Sequence, residues 1–271
     1  MLILSFRDMY KYNYNLQHLF AMNQKWETRT AFTMSVPRKT SALIFFRNGS
    51  ATYVFPDGNS LCAEQGTLVY LPQGSQYTTY FHNYKKDSIQ TQLLELELID
   101  TEGNPFSAMN QVTPIESAHI QNYLEIFDDL VSIYTSPFYS PSRMKSKVYE
   151  LLHEISKSFH LEKIYSKPYL SIAKGILYLE HDTTCKLSIG DIAKMCSVDE
   201  SCFRRLFKQY SGISPSEYKI QKLMRQAKAL LRSGDLTVSE VALRLGYDDV
   251  SYFSRIFKKK TGLSPSEYSK R

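Results

Sequence analysis

The sequence predicts a two-domain α+β protein: an N-terminal β-barrel with attached helices, then an all-α domain built from two copies of one helix–turn–helix unit. Three observations carry that reading. The heptapeptide GISPSEY at Gly212–Tyr218 returns almost unchanged as GLSPSEY at Gly262–Tyr268. Between residues 30 and 100, short apolar runs alternate with glycine turns. Charge is also split: from Ser166 onward there are 19 Lys and Arg against 11 Asp and Glu, whereas residues 1–165 hold 14 against 16.

The N-terminal strands are expected in SALIFF, ATYVF, GTLVYLP, QYTTYFH and QTQLLELELI, separated by turns at Asn48-Gly49, Asp57-Gly58 and Gly74. Short strands with regular turn signals predict a barrel or jelly roll over residues 1–112. A barrel of this size encloses one small ligand. Trp26, Arg29, Phe46, Tyr53, Tyr70, Tyr77 and Tyr80 are the candidate wall, since aromatic rings with polar tips suit a sugar or another amphipathic molecule. Packing of the barrel core is the alternative use of the same residues. Tyr10, Tyr12 and Tyr14 alternate at strand spacing.

Residues 113–162 turn helical. Ile120, Tyr123, Leu124, Phe127, Leu130, Val131 and Tyr134 recur at i, i+3 and i+4, as do Met144, Val148, Leu151, Leu152, Ile155 and Phe159. YSKPY at Tyr165–Tyr169 reads as the linker, placed at 163–168, before a second domain over 169–271.

In that domain each heptapeptide is a helix stop followed by a helix start. Gly212 and Gly262 suit a left-handed C-terminal residue. Ser214 and Ser264 are N-caps with Pro215 and Pro265 at the first helical position. Glu217 and Glu267 stand at capping-box spacing, and Ile213/Tyr218 and Leu263/Tyr268 form hydrophobic staples. Upstream, Ile189, Ile192, Ala193 and Val198 match Val238, Val241, Ala242 and Tyr247 at an offset of 49, whereas Phe203, Leu206 and Phe207 match Phe253, Ile256 and Phe257 at 50. The odd residue therefore falls in the link between the matched blocks, because inside a helix it would rotate a face by about 100°. The units are placed at 188–211 and 237–261, joined by a helix from Pro215 to Arg232 with the stripe Ile220, Leu223, Ala227, Leu230 and Leu231. The second helix of such a unit can enter a DNA major groove.

VSEVALRLGYDDVSYFSRIFKKKTGLSPSEY, with its partner copy and RQAKALL between them, resembles the AraC/XylS family of bacterial transcription regulators. The resemblance covers about residues 168–271. It implies two recognition helices on one DNA face. Relatives use the positions of Ser201, Arg204, Arg205, Ser251, Ser254 and Arg255 near base edges. Lys208 and Lys258 complete the candidate interface, with Lys258, Lys259 and Lys260 expected on phosphate. Arg204, Arg205 and Arg255 are the leading base readers, because a guanidinium can bond guanine O6 and N7 together. The first turn, CSVDES, departs from the family by placing Glu200 at a helix start.

EQGTLVYLPQGSQY resembles the glycine-rich turn of the cupin-like sensor domain found in many members. The resemblance implies a small-molecule effector, a sugar among the candidates, and a homodimer formed through the 115–160 helices, with Phe127 and Val131 as contacts. If the protein is an activator, it also implies RNA polymerase as a partner. Metal-binding cupins carry a His/Glu cluster, but here Gln76 and Tyr77 occupy its place and only His82 is near. No catalytic Ser/His/Asp set, carboxylate pair or phosphate-cradling loop stands out. The expectation is no enzyme, no cofactor and no metal. A ligand-free interaction module and a cupin-type enzyme fused to a DNA-binding domain are the competing readings.

No apolar run approaches the ~20 residues that span a bilayer. MLILSF is too short for a signal peptide's apolar core. A cytoplasmic protein without a membrane partner is expected. Cys62, Cys185, Cys196 and Cys202 lack CxxC spacing and are expected as small buried apolar residues.

Overall fold

The computed structural model describes residues 2–3, 5–82, 88–115, 120–182 and 187–270, and divides into a unit at Met1–Leu161 and a unit at Glu162–Arg271. The side chains of Leu2 and Ile120 and all of Cys185 lie outside the described residues.

The first unit contains β1 (Leu2–Ile3), β2 (Asn15–Trp26), β3 (Ala31–Met34), β4 (Ser41–Phe46), β5 (Ser50–Val54), β6 (Ser60–Ala63), β7 (Leu68–Leu71), β8 (Tyr77–His82), β9 (Ile89–Ile99), β10 (Pro105–Ser107), β11 (Thr113–Ile115), α1 (Ile120–Thr135) and α2 (Pro141–Tyr165). The strands form two sheets rather than one closed barrel. The larger runs β1-β10-β9-β4-β7-β11, with β2 also paired to β9, and the smaller runs β3-β8-β5-β6.

Side-chain alternation explains the layering. On β4, Leu43 and Phe45 face one core while Ala42 and Phe46 face another, and on β7 Leu68 and Tyr70 oppose Val69 and Leu71. The central strands are therefore apolar on both faces, as a sheet covered on both sides requires. One core lies between the two sheets, joining Ala42, Phe46, Val69 and Leu71 to Ala51, Tyr53, Tyr77 and Phe81. The other lies between the large sheet and the two helices.

Three expectations change here. Phe127 and Val131 are buried against the sheet, with Phe127 stacked 5.7 Å from Phe45, so they cover the sandwich and are not available to a second chain. Tyr10 belongs to a 3-10 helix over Phe6–Lys11, not a strand; Ser5 caps it and Phe6 and Met9 are its buried positions. Cys62 is exposed, and Cys196 and Cys202 are half-buried. Cys62 lies on β6, the edge of the smaller sheet, where alternation points it outward.

The second unit opens with the end of α2, whose Ile164 is fully buried. Then follow a 3-10 turn at Leu170–Ile172, α3 (Ala173–His181), α4 (Ile189–Met195), α5 (Glu200–Ser211), α6 (Pro215–Ser233), α7 (Val238–Arg244), α8 (Val250–Thr261) and α9 (Pro265–Ser269). Helix α6 packs on α3 and α5 and also on α7, α8 and α9. Its stripe is as expected, with Leu223, Ala227 and Leu231 buried and Ile220 and Leu230 packed beside them; Met224 joins it. The first copy has its own buried set in Ile176, Leu179, Ile192, Ala193, Phe203 and Phe207. Gly175 lets α3 approach closely: a Cβ there would lie 2.5 Å from the Phe203 ring and 2.9 Å from Cys196 Sγ.

Phe127→Ala should cost about 3–5 kcal/mol in urea denaturation, as a buried aromatic does. A residue that waits for a dimer partner would cost little in the monomer.

Candidate nucleic-acid interface and ligand cavity

The doubled heptapeptide does the same work twice. Ser214 and Ser264 accept from the backbone N–H groups of Glu217 (3.2 Å) and Glu267 (3.3 Å). Tyr218 and Tyr268, one position further on, set their rings edge-on to Phe207 and Phe257, each at 5.4 Å. The residue before each glycine also repeats its bonds. The hydroxyl of Ser211 donates to the carbonyls of Phe207 and Ile213, both at 2.9 Å, and that of Thr261 to those of Phe257 (2.8 Å) and Leu263 (2.9 Å). Each stop-start word thus clamps the end of α5 or α8 to the helix that follows.

The copies differ at one cap. Glu267 closes a full capping box with Ser264, whereas the Glu217 carboxylate turns to Lys260 of α8 and Gln221. Lys260 holds the Glu217 carboxyl below its usual range, with Gln221 adding to the effect. Lys260 is therefore engaged within the domain rather than held out for phosphate.

Helices α5 and α8 start on Asp199 and Asp249, whose carboxylates accept from the backbone N–H groups of Cys202 (2.8 Å) and Ser251 (2.8 Å). Both end at glycines with φ of 82°. Phe203 and Phe207 on one helix, and Phe253 and Phe257 on the other, are fully buried. That fixes the opposite faces. Ser201, Arg204, Arg205 and Lys208 are exposed on α5; Ser251, Arg255 and Lys258 are exposed on α8, with Ser254 half-buried.

The three arginines are not equivalent. Arg204 forms an ion pair with Glu200 at 2.5 Å and donates to Ser216 Oγ at 3.2 Å. Arg205 and Arg255 have no hydrogen bond or ion pair among the described residues. The departure at Glu200 thus acts on the neighbouring arginine one turn along.

Two lysines of α6 have structural tasks that the sequence reading did not foresee. Lys222 donates to the carbonyls of Leu179 (2.8 Å), Glu180 (2.7 Å) and Asp182 (2.6 Å), and so caps α3. Lys219 donates to the carbonyl of Leu187 at 2.7 Å. Their spacing showed only that both lie off the apolar stripe; the carbonyls they meet are about 30 to 40 residues away in sequence.

The first unit contains a cavity of about 130 Å³ between its sheets. Trp26, Tyr53 and Tyr77 line it. The other sequence candidates do not. Phe46 and Tyr70 are buried in packing, and the Tyr70 hydroxyl is shared with Ser41 (3.0 Å) and Ser107 (2.8 Å). Arg29 is exposed beside its turn, and Tyr80 points out of the sheet opposite to Thr79, by strand alternation. Sequence reasoning missed Arg38, which lines the cavity and is paired with Glu95 at 2.6 Å and with the Tyr77 hydroxyl at 3.1 Å. It sits between two strands, where no periodicity marks it as buried. Burial pushes the phenols of Tyr53 and Tyr77 up, and Arg38 opposes the shift in both. Among the described residues, no group of three His, Cys, Asp or Glu could hold a metal ion.

The model of a helix-turn-helix domain family matches residues 192–271. The Msm operon regulatory protein of Streptococcus mutans is 30% identical over 111 residues, which is 39% of each chain. The lactose operon transcription activator of Staphylococcus xylosus is 24% identical over 75% of this chain and 72% of its own. The match to the first of these thus spans well under half of that relative's length. Among solved structures, the C-terminal domain of AraT, a response regulator from Geobacillus stearothermophilus, is 32% identical over 39% of this chain and 88% of its own, with a TM-score of 0.35. An apo ToxT variant from Vibrio cholerae covers 93% of this chain and 97% of its own at 15% identity, with a TM-score of 0.41.

The interhelical turns give a direct comparison of the two copies. Val198 N–H bonds Ala193 O at 3.2 Å and Tyr247 N–H bonds Ala242 O at 2.9 Å, so the turns are alike. Yet the left-handed position is Ser197 (φ 56°) in the first and Gly246 (φ 81°) in the second. A Cβ at Gly246 would meet nothing within 4 Å, so only backbone strain opposes it. Gly246→Ala should destabilise by about 1–2 kcal/mol and Ser197→Gly should not, read as shifts in denaturation midpoint.

Proposed function

We propose that this chain, whose C-terminal unit is an AraC-type double helix-turn-helix domain, is a sequence-specific DNA-binding transcription regulator that acts as an activator. In this reading α5 and α8 enter successive major-groove segments on one face of the duplex. The observation that carries it is the matched pair of outward helices, each with an unengaged arginine, both packed on α6. Nineteen residues of helix extend about 28 Å, close to the ~34 Å of one DNA turn. Arg205 and Arg255 read bases, Lys208 and Lys258 meet phosphate, and Ser201, Ser251 and Ser254 sit at the groove. Arg204 is held in place by Glu200 and contributes less as a reader in its own right.

The first unit is proposed as a cupin-like effector domain. The partly open cavity between the sheets favours that reading over a ligand-free interaction module. Any homodimer would use surfaces other than Phe127 and Val131. RNA polymerase is the partner that activation implies, and the cytoplasm is the compartment. No helix among the described residues is long and apolar enough to cross a membrane. The curated relatives are transcription regulators, which runs against the enzyme reading.

The test is binding of alanine variants to a library of single-base operator variants at several salt concentrations. Arg205→Ala and Arg255→Ala should each cost about 1–3 kcal/mol and relax preference at different positions about ten base pairs apart. Lys258→Ala should weaken all sequences alike and lower the salt slope by about one unit. If Arg255→Ala weakens specific and random DNA equally, α8 reads no base through it.

A further inference from the structure

The cavity between the sheets has a chemical character that its aromatic residues alone do not convey. Its volume, about 130 Å³, is close to the ~150 Å³ of an apolar protein cavity that admits benzene, and below the ~300 Å³ at which drug-sized pockets begin. Much of the wall is apolar, including Phe32, Met34, Ile44, Phe81 and Leu93.

Several of the polar groups that face it are spent. Arg38, whose side chain is 6% exposed, donates from Nε to the Thr40 carbonyl (3.3 Å), from one terminal nitrogen to the Tyr77 hydroxyl (3.1 Å) and from the other to Glu95 (2.6 Å). Its charge is cancelled inside the protein. An added carboxylate would confront Glu95, and an added cation would confront Arg38. The Trp26 indole N–H is likewise taken, by Thr91 Oγ1 at 3.0 Å, and that hydroxyl donates to Gln24 Oε1 at 3.0 Å.

Nor does Trp26 offer a platform for a sugar ring. Phe81 stacks on it at 4.4 Å with the planes 13° apart, and Phe32 closes in at 5.7 Å. A hexose would bring several hydroxyls against a wall that is largely apolar, and each one left unsatisfied costs about 1–3 kcal/mol. Two donors remain. The Tyr77 hydroxyl accepts from Arg38 and keeps its own proton, and the Tyr53 hydroxyl has no partner among the described residues although its ring is buried. The two rings meet edge-on at 5.4 Å.

We propose that this cavity binds a compact, uncharged molecule with a flat apolar body of about one aromatic ring and a single hydrogen-bonding group, held by the phenols of Tyr53 and Tyr77, and not a sugar or a carboxylate. The proposal deepens the effector reading of the first unit and rests on it for its regulatory meaning, though not for binding.

Trp26 is the only tryptophan of the chain, so intrinsic tryptophan emission reports on this cavity alone. The full chain is titrated with phenol, toluene, benzoate and galactose, with emission and Tm recorded for each. Phenol should shift the emission and raise Tm by a few degrees near saturation. Toluene should do so more weakly, and benzoate and galactose not at all. Ile44→Phe, which fills the cavity, should abolish the phenol response. Tyr53→Phe should reduce binding of phenol several-fold while sparing toluene.

A response to galactose or benzoate stronger than that to phenol overturns the proposal, as does no response to phenol at millimolar concentration. DNA affinity separates the two readings. Phenol binding that leaves operator affinity unchanged upholds the ligand class and removes the effector role. An effector that changes operator affinity without touching Trp26 emission keeps the role and overturns this site.

Discussion

The buried phenylalanine pair on each of α5 and α8 is the contact on which the second unit depends. Phe203 and Phe207, like Phe253 and Phe257, are fully buried one turn apart. Burying such a side chain contributes about 1.5–3 kcal/mol, and an aromatic pair adds about 0.5–1.5 kcal/mol. Once that stripe is fixed, helical geometry decides which residues face outward, because each position turns by about 100°. Tyr218 and Tyr268 then lock the second phenylalanine of each pair from the following helix. The chain repeats its heptapeptide because both helices need the same lock.

The same economy shows in the charges. Cations that would be counted as free for a polyanion are partly committed to the domain itself. Lys222 caps α3, Lys260 meets Glu217 and Arg204 is held by Glu200. The exposed pair Glu200–Arg204 contributes little to stability. Its effect is on how free the Arg204 guanidinium is on the outward face of α5. In the first unit a similar pairing, Arg38 with Glu95, cancels a charge at the cavity wall and so leaves a neutral site among aromatic rings.

Much of the second unit was legible in the sequence, because its signals are local. Caps, stops and the apolar stripe of α6 are written within a few residues of where they act, and the offset change from 49 to 50 located the link between α4 and α5. What escaped was non-local. Lys222 bonds carbonyls about 40 residues away. Glu217 has the spacing of a capping box, yet it prefers Lys260. In the first unit the strand runs read correctly for β4, β5, β7, β8 and β9, whereas β2 was missed. Its burial pattern mixes exposed and half-buried positions and is interrupted by a register shift between Gln17 and Phe20. The cavity was only partly legible. Alternation separates Tyr53 and Tyr77 from Tyr80, but it cannot say which buried face holds open space, so Tyr70 and Phe46 looked equally suitable. Arg38 lay outside any run and gave no signal.

The central claim is that the two copies are two reading heads of one domain joined by α6. Removing single nucleosides from a selected binding site, and asking which losses abolish binding of the full chain, tests it most directly. The account predicts two clusters of essential bases on one face of the duplex, about ten base pairs apart for each bound chain. A single cluster that survives Arg255→Ala unchanged would show that only the first copy reads DNA.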